Sequence, residues 1–127
     1  VRLAYKNLGN DRLVLISDSM EATDMPDGKY SIAGNPVLVK DGVALTEYGA
    51  LAGSTLSLDQ ALKNLMDFAS LSLKDALPCA PENPAREVGI FDTVGSVEQG
   101  KIANLLILSR DEDLFIDHIV LRGKKIK

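Results

Sequence analysis

The sequence predicts an α/β chain, and three features of its pattern support that class. Near the start, apolar residues recur at a helical spacing and stop at Gly9; they are Val1, Ala4, Tyr5 and Leu8. A continuous apolar run at residues 13–16 follows a tight turn and is typical of a strand covered on both faces. From residue 95 onward the pattern is β-rich without intervening helices, which predicts an antiparallel sheet. Helix, stop, turn and buried strand together indicate the second half of an α/β unit.

A β-meander is predicted between about residues 25 and 48. Met25-Pro26-Asp27-Gly28 is a turn signal, because proline fixes φ and glycine accepts a positive φ. Short strands are predicted at residues 29–32 and 36–40, joined by residues 33–35. Asp41-Gly42 is a two-residue hairpin turn that leads into a third strand at residues 43–45.

The clearest helix begins after Ser57. Ser57 is the predicted N-cap, and Gln60 three residues later completes a capping box. The predicted buried stripe comprises Leu58, Ala61, Leu62, Leu65, Met66 and Ala69. A second helix is predicted from Ser72 until Pro78 stops it.

The last third of the chain predicts a short helix and then strands. Asn83 is the predicted cap of that helix, with Pro84 at its first position and Gly89 beyond its end. Strands are predicted at residues 105–108 and 116–121, and a turn at Gly123-Lys124 precedes a last short strand.

Composition excludes several classes of protein. The chain has 127 residues, 46% of them hydrophobic and 25% charged, with a net charge of −4. Acidic and basic residues are interspersed, so we expect no nucleic-acid partner. No apolar stretch approaches the ~18 residues of a membrane span. The single Cys79 excludes an internal disulfide and predicts a reducing, cytoplasmic setting. The chain begins with Val1 inside a helical pattern, so we expect it to be a piece of a longer protein.

Asp18 is the first candidate for chemistry. It follows the run at residues 13–16 and lies in the segment Ser17-Asp18-Ser19-Met20-Glu21-Ala22-Thr23. A carboxylate at the C-terminal end of a parallel strand lies where barrel enzymes hold their catalytic groups. The alternative is that Asp18 only caps a loop or a helix start.

The small-residue loop Leu51-Ala52-Gly53-Ser54-Thr55-Leu56 is the second candidate. Small residues allow close backbone approach to a sugar or phosphate, and amides before a helix suit anionic or hydroxyl ligands. The alternative is a tight loop into the following helix, in which Gly53 serves geometry alone.

Two further motifs are Asn83-Pro84-Ala85-Arg86 and the run from Gly95 to Leu105. With the Asp18 segment, Pro26-Asp27-Gly28-Lys29-Tyr30 and the small-residue loop, they resemble the C-terminal third of the N-acetylglucosamine-6-phosphate deacetylases. That family is part of the metal-dependent amidohydrolase superfamily. The resemblance extends from about Arg12 to the end of the chain. The run from Gly95 to Leu105 is shared by many amidohydrolases. The combination of the Asp18 segment with the small-residue loop is much more specific and indicates the deacetylases.

The resemblance implies a fold and its division. It implies the C-terminal part of a (β/α)8 TIM-like barrel, its last strand and following helices, plus strands of a small β-sandwich domain. Residues 1–94 are expected to belong to the barrel, with the meander inserted at about 25–48, and residues 95–127 to the sandwich. The pattern leaves open whether the meander covers the barrel or belongs to the small domain.

The resemblance also implies site residues and partners. Asp18 corresponds to the catalytic aspartate that ends the eighth barrel strand, and Ala52, Gly53 and Ser54 to the loop that contacts the sugar phosphate. The family's divalent metal cation (zinc, iron or similar) is held by a glutamate and two histidines on earlier strands. Those ligands have no counterpart here, so we expect no metal site in this chain and no activity from it alone. A phosphorylated amino sugar is the implied partner, and a homo-oligomer the implied assembly.

The implied activity is hydrolysis of N-acetylglucosamine 6-phosphate to glucosamine 6-phosphate and acetate, in amino-sugar catabolism. One alternative is another amidohydrolase, of the adenine deaminase or dihydroorotase type, which would share the Gly95 to Leu105 motif. A second alternative, of another class, is a non-catalytic β-rich interaction domain. His118, the single histidine, is expected to pack or to lie at the surface, and Cys79 to be a small buried hydrophobe.

Overall fold

The computed structural model describes residues 1–109 and 115–127. Its helices and strands, in chain order, are α1 Arg2–Leu8, β1 Gly28–Ile32, β2 Asn35–Lys40, β3 Val43–Thr46, α2 Leu58–Ala69, α3 Leu73–Ala76, a 3-10 turn Leu77–Cys79, α4 Glu82–Glu87, β4 Leu105–Leu108, β5 Ile116–Leu121 and β6 Lys124–Lys125. The described chain is therefore α/β with small sheets. It divides into two compact units, Val1–Ala80 and Pro81–Lys127. None of its described helices combines the length and apolarity that a membrane crossing requires.

The apolar run at residues 13–16 is not a strand of a sheet in this structure. Leu13 and Leu15 are half-buried, whereas Val14 is exposed and Ile16 is 73% exposed. The Leu15 N–H donates to the Cys79 carbonyl at 2.8 Å, so a single backbone contact joins this run to the helical region. The prediction of a strand was wrong for the described chain, because a parallel strand needs a parallel neighbour along its length.

The predicted first helix is confirmed as α1, which ends at Gly9 with a φ of +73°. Half-buried Tyr5 packs with Leu13 and Leu15 on a core formed by α2 and the following turns. The buried members of that core are Leu62, Leu65, Ala76 and Cys79. The expectation that Cys79 is a buried small hydrophobe is confirmed, since its side chain is 0% exposed.

Helix α2 begins after Ser57 as predicted, but the predicted capping box does not form. The Gln60 side chain donates instead to Asn64 Oδ1 at 3.0 Å. A hydrogen bond from the Ser57 side chain stabilises the Asp59 carboxylate and lowers its pKa. A charged acceptor two residues away thus engages the hydroxyl in place of the helix amides. Leu58, predicted to be buried, is 44% exposed.

The helix predicted from Ser72 is confirmed as α3, and the Ser72 hydroxyl caps it by accepting from the Asp75 N–H at 3.3 Å. Pro78 ends that helix as expected, within the 3-10 turn Leu77–Cys79. In the second unit, the predicted cap at Asn83 is wrong. Helix α4 begins at Glu82, and Asn83 lies inside it, 6% exposed. Asn83 is therefore a buried helix residue rather than a cap.

The predicted meander is confirmed as a three-stranded antiparallel sheet in the order β1-β2-β3. Both hairpin turns contain two residues with positive φ, Ala33-Gly34 (49° and 83°) and Asp41-Gly42 (52° and 71°). A separate small core lies under the sheet and comprises Ala22, Val37, Val39 and Ala44.

The predicted C-terminal strands are also confirmed, as the antiparallel sheet β4-β5-β6. Its pairing contains a bulge between Ile107 and Leu108. The turn before β6 is Arg122-Gly123, with φ values of 49° and 78°, one residue earlier than predicted. Residues 110–114 of the predicted β-rich segment lie outside the described residues.

Candidate functional site

Asp18 lies at a turn just after the apolar run. Its φ is +54°, in the left-handed region that few residues other than glycine adopt. The side chain is exposed, and the carboxylate makes no hydrogen bond with any residue that the structure describes. The Asp18 carbonyl, by contrast, accepts from the Ser54 N–H at 3.2 Å. The backbone of this residue is thus fixed while its carboxylate remains available.

The Asp18 segment and the small-residue loop lie side by side. Ser19 and Ser54 form a parallel β-bridge. The Met20 N–H donates to the Ser54 carbonyl at 2.8 Å, and the Ser54 N–H returns a bond to Asp18. The structure therefore brings together the two segments that the sequence singled out, through backbone hydrogen bonds that the sequence did not predict.

The small-residue loop is also tied to the meander. The Ala52 N–H donates to the Ala44 carbonyl at 3.0 Å, and the Leu56 N–H donates to Ser54 Oγ at 2.9 Å. The amides of Ala52, Ser54 and Leu56 are engaged, whereas those of Leu51, Gly53 and Thr55 make no bond to a described residue. The Gly53 N–H, between two engaged amides, is one of the donors that the loop can offer to a ligand.

Gly53 meets two structural demands in this loop. Its φ is +73°, which confirms the need for a residue without a side chain. A Cβ built there would lie 2.9 Å from Ile32 Cδ1, at the end of strand β1. The structure therefore gives Gly53 a geometric role, and that role is compatible with an exposed amide.

Two acidic side chains make long-range contacts with the meander, and the sequence did not reveal their role. The Asp27 carboxylate accepts from the N–H groups of Asp41 at 2.6 Å and Gly42 at 3.1 Å, at the second hairpin turn. The Glu21 carboxylate accepts from the Ser31 N–H at 2.6 Å. The only local signal was the proximity of Asp27 to a turn, which predicted a turn residue and not a long-range contact.

No metal site forms within the part of the chain that the structure describes. In residues 1–109 and 115–127, no three His, Cys, Asp or Glu side chains converge as a ligand set. His118 is exposed on β5, 3.4 Å from Lys125 Nζ through its Nε2 atom, which confirms the expected surface position. The described residues therefore supply no ligand set for a divalent cation.

The second unit contains a charged cluster around an aromatic ring. Arg86 Cζ lies 3.5 Å and Lys101 Nζ 3.4 Å from the centroid of Phe91. Both cations lie within the distance of a cation–π contact with the ring. Lys101 also donates to Ser96 Oγ at 2.6 Å and pairs with Glu98 at 3.3 Å. Hydrogen bonds from Ser96 and Lys101 lower the pKa of Glu98. Lys101 is therefore part of both the cation–π contact and an ion pair within the second unit.

Comparison with known proteins places this geometry in context. The sequence model of the amidohydrolase family matches residues 10–126. A putative N-acetylgalactosamine-6-phosphate deacetylase of Escherichia coli K12 is 39% identical over 114 residues, which cover 90% of this chain and 67% of that protein. The N-acetylglucosamine-6-phosphate deacetylase of Bacillus subtilis is 38% identical over 115 residues, which cover 91% of this chain and 29% of that enzyme.

A solved structure agrees with these relatives. It is a mutant N-acetyl-D-glucosamine-6-phosphate deacetylase of Mycobacterium smegmatis in complex with N-acetyl-D-glucosamine-6-phosphate. The TM-score is 0.86 at 32% identity, over 98% of this chain and 33% of that one. The chain thus spans about a third of the length of this structure and of the Bacillus enzyme.

Proposed function

Because this chain belongs to the amidohydrolase family, we propose that it forms the C-terminal part of a metal-dependent deacetylase. The proposed reaction converts N-acetylglucosamine 6-phosphate and water to glucosamine 6-phosphate and acetate. In this proposal residues 1–94, with the meander at about 25–48, complete a (β/α)8 barrel. Residues 95–127 contribute strands to a small β-sandwich domain. That the enzyme is a homo-oligomer stays a prediction from the resemblance.

The observation that carries the proposal is the pairing of the Asp18 segment with the small-residue loop. An amide hydrolase needs a base beside the group that binds the substrate. The Ser54 N–H contacts the Asp18 carbonyl at 3.2 Å, so a ligand on the loop lies beside the Asp18 turn. The alternative of an interaction domain is not better supported, since the amidohydrolase family model matches residues 10–126.

Each residue has a chemical role in the proposal. Asp18 takes a proton from the water that attacks the amide carbon, and returns a proton to the amine as the C–N bond breaks. Ala52, Gly53 and Ser54 hold the phosphosugar, with the Gly53 N–H as a donor to one of its oxygens. The family's divalent cation would take its ligands from the rest of the enzyme, since the described residues supply no ligand set. The roles given to this chain do not depend on the identity of that ion.

The first test replaces Asp18 by asparagine in the longer enzyme. Loss of a general base lowers kcat by roughly 10²-fold to 10⁴-fold, and we expect that fall for Asp18→Asn. Asp24→Asn is the matched control, because Asp24 follows the Asp18 segment directly, is also exposed and has a φ of +61°. Turnover near the wild-type value in Asp18→Asn, or an equal loss in Asp24→Asn, would refute the role of Asp18.

A second candidate substrate is the galactosamine epimer. The Escherichia coli K12 relative, whose name refers to N-acetylgalactosamine 6-phosphate, is as similar as the Bacillus enzyme, at 39% against 38% identity. The ratio of kcat/KM for the two epimers separates these candidates. A higher value for the galactosamine epimer would overturn the substrate that we propose and keep the reaction. The relatives named above are deacetylases, so a deaminase or a dihydroorotase is not better supported.

A further inference from the structure

The conformation of Asp18 has a free-energy cost that its surroundings can offset. Its φ of +54° is disfavoured for residues other than glycine, although aspartate tolerates it better than most. The backbone bonds to Ser54 fix the carbonyl of Asp18 and the amide of Met20. They do not restrain the chain on the N-terminal side of Asp18.

A pair of hydroxyl groups provides that missing restraint. The Ser19 and Ser17 hydroxyl oxygens are 2.9 Å apart, and the Ser19 hydroxyl lies 2.6 Å from the Leu56 carbonyl. A carbonyl only accepts, so Ser19 uses its one hydrogen on Leu56, and Ser17 donates to Ser19. The hydroxyl chain therefore connects the residue before Asp18 with the residue after it and continues to the Leu56 carbonyl. It ends at the residue before Ser57, where α2 begins.

We propose that Ser19 is a positioning residue for Asp18, acting through this hydroxyl chain. The proposal rests on the function proposed above, since it needs Asp18 to be the base. Ser19 joins the two flanks of the Asp18 turn to the loop that carries the ligand amide. Because a base must meet its proton within hydrogen-bond distance, a small displacement of the carboxylate slows proton transfer.

The test compares Ser19→Ala with Ser19→Thr in the longer enzyme. We expect Ser19→Ala to lower kcat by about tenfold with KM unchanged, because positioning of the base affects the chemical step and not substrate binding. Ser19→Thr keeps the hydroxyl and should restore kcat. Ser31→Ala is the control, since its hydroxyl makes only a 3.3 Å contact with Glu21 while its N–H keeps the 2.6 Å bond.

Each outcome decides the proposal. An unchanged kcat in Ser19→Ala overturns it, and so does an equal fall in Ser19→Ala and Ser19→Thr, or a rise in KM alone. If Ser19→Ala does not fold, Ser17→Ala replaces it, because that change removes one donor and leaves the backbone bridge. A normal kcat in Ser17→Ala then overturns the proposal.

The Asp18→Asn enzyme separates the two levels of the argument. An inactive Asp18→Asn with a fully active Ser19→Ala refutes the positioning role and keeps the proposed base. An active Asp18→Asn refutes both, because Ser19 then has no catalytic group to position.

Discussion

Replacing Gly53 by alanine tests how the small-residue loop is built. The substitution imposes a side chain on a φ of +73°, and the new Cβ would lie 2.9 Å from Ile32 Cδ1 and 3.6 Å from Met20 Cβ. The left-handed conformation costs a non-glycine residue about 1–2 kcal/mol. Because Ile32 Cδ1 is the end of a side chain that can shift, the steric cost is at the low end of the range for an overpacked core, about 1 kcal/mol. We therefore expect Gly53→Ala to lower the free energy of unfolding by about 2–3 kcal/mol.

Gly49→Ala is the matched control for that substitution. Gly49 has a φ of +78°, and a Cβ built there meets nothing within 4 Å. Gly49→Ala should lower the free energy of unfolding only by the conformational cost, about 1–2 kcal/mol. The double variant Gly53→Ala/Ile32→Val, compared with Ile32→Val alone, should regain the steric part because valine lacks the Cδ1 atom.

Urea unfolding of the purified chain, followed by circular dichroism, measures these differences. In the longer enzyme, Gly53→Ala should also raise KM, because a side chain beside the free amide obstructs a ligand. Equal losses of stability in Gly53→Ala and Gly49→Ala, with no effect of Ile32→Val, would refute the close approach to Ile32. Conformation alone would then explain the glycine.

Two further predictions concern charged side chains outside the loop. Lys101, whose side chain is 8% exposed, lies over Phe91 at 3.4 Å. A double-mutant cycle of Lys101→Met and Phe91→Leu should give a coupling energy of about 0.5–2 kcal/mol in urea unfolding. Additive losses of stability would contradict the cation–π contact. Ser57→Ala should raise the pKa of Asp59 in an NMR titration, whereas Ser57→Thr should keep it low. A carboxylate whose pKa is lowered by folding stabilises the protein at pH values above its pKa in the unfolded chain, which is 3.8 for this group. That stabilisation is lost as the pH falls through the pKa of the folded state. The stability difference between wild type and Ser57→Ala should therefore shrink below about pH 4, and an equal difference at all pH values would contradict the Ser57–Asp59 bond.

The sequence predicted the features that depend on neighbouring residues. Asp41-Gly42 forms its hairpin turn because both residues tolerate a positive φ, which is a property of the dipeptide itself. Ser72 caps α3 for a similar local reason. The capping box predicted at Ser57 does not form, because the Ser57 hydroxyl bonds to the charged Asp59 carboxylate instead. The capping rule does not take such a competing acceptor into account.

Features that depend on distant residues were predicted less well. The run at residues 13–16 has the composition of a buried strand, but its pairing partner is not determined by its own residues. For the site, sequence motifs identified Asp18 and the small-residue loop, whereas the bridge between Ser19 and Ser54 became visible only in the structure. The Asp27 contact with the second hairpin turn is of the same kind, since a carboxylate near a turn has many possible partners.

The bridge between the two site segments has a consequence for the chain between them. Residues 20–54 leave and return to the same place, because the Met20 N–H donates to the Ser54 carbonyl. This excursion contains its own small core, centred on Val37, Val39 and Ala44 and separate from the helical core. Lengthening a closed loop adds only a slowly growing entropy cost, and loop tips tolerate insertions. Lengthening this excursion does not by itself separate Asp18 from the small-residue loop, because the bridge between Ser19 and Ser54 closes it at its base.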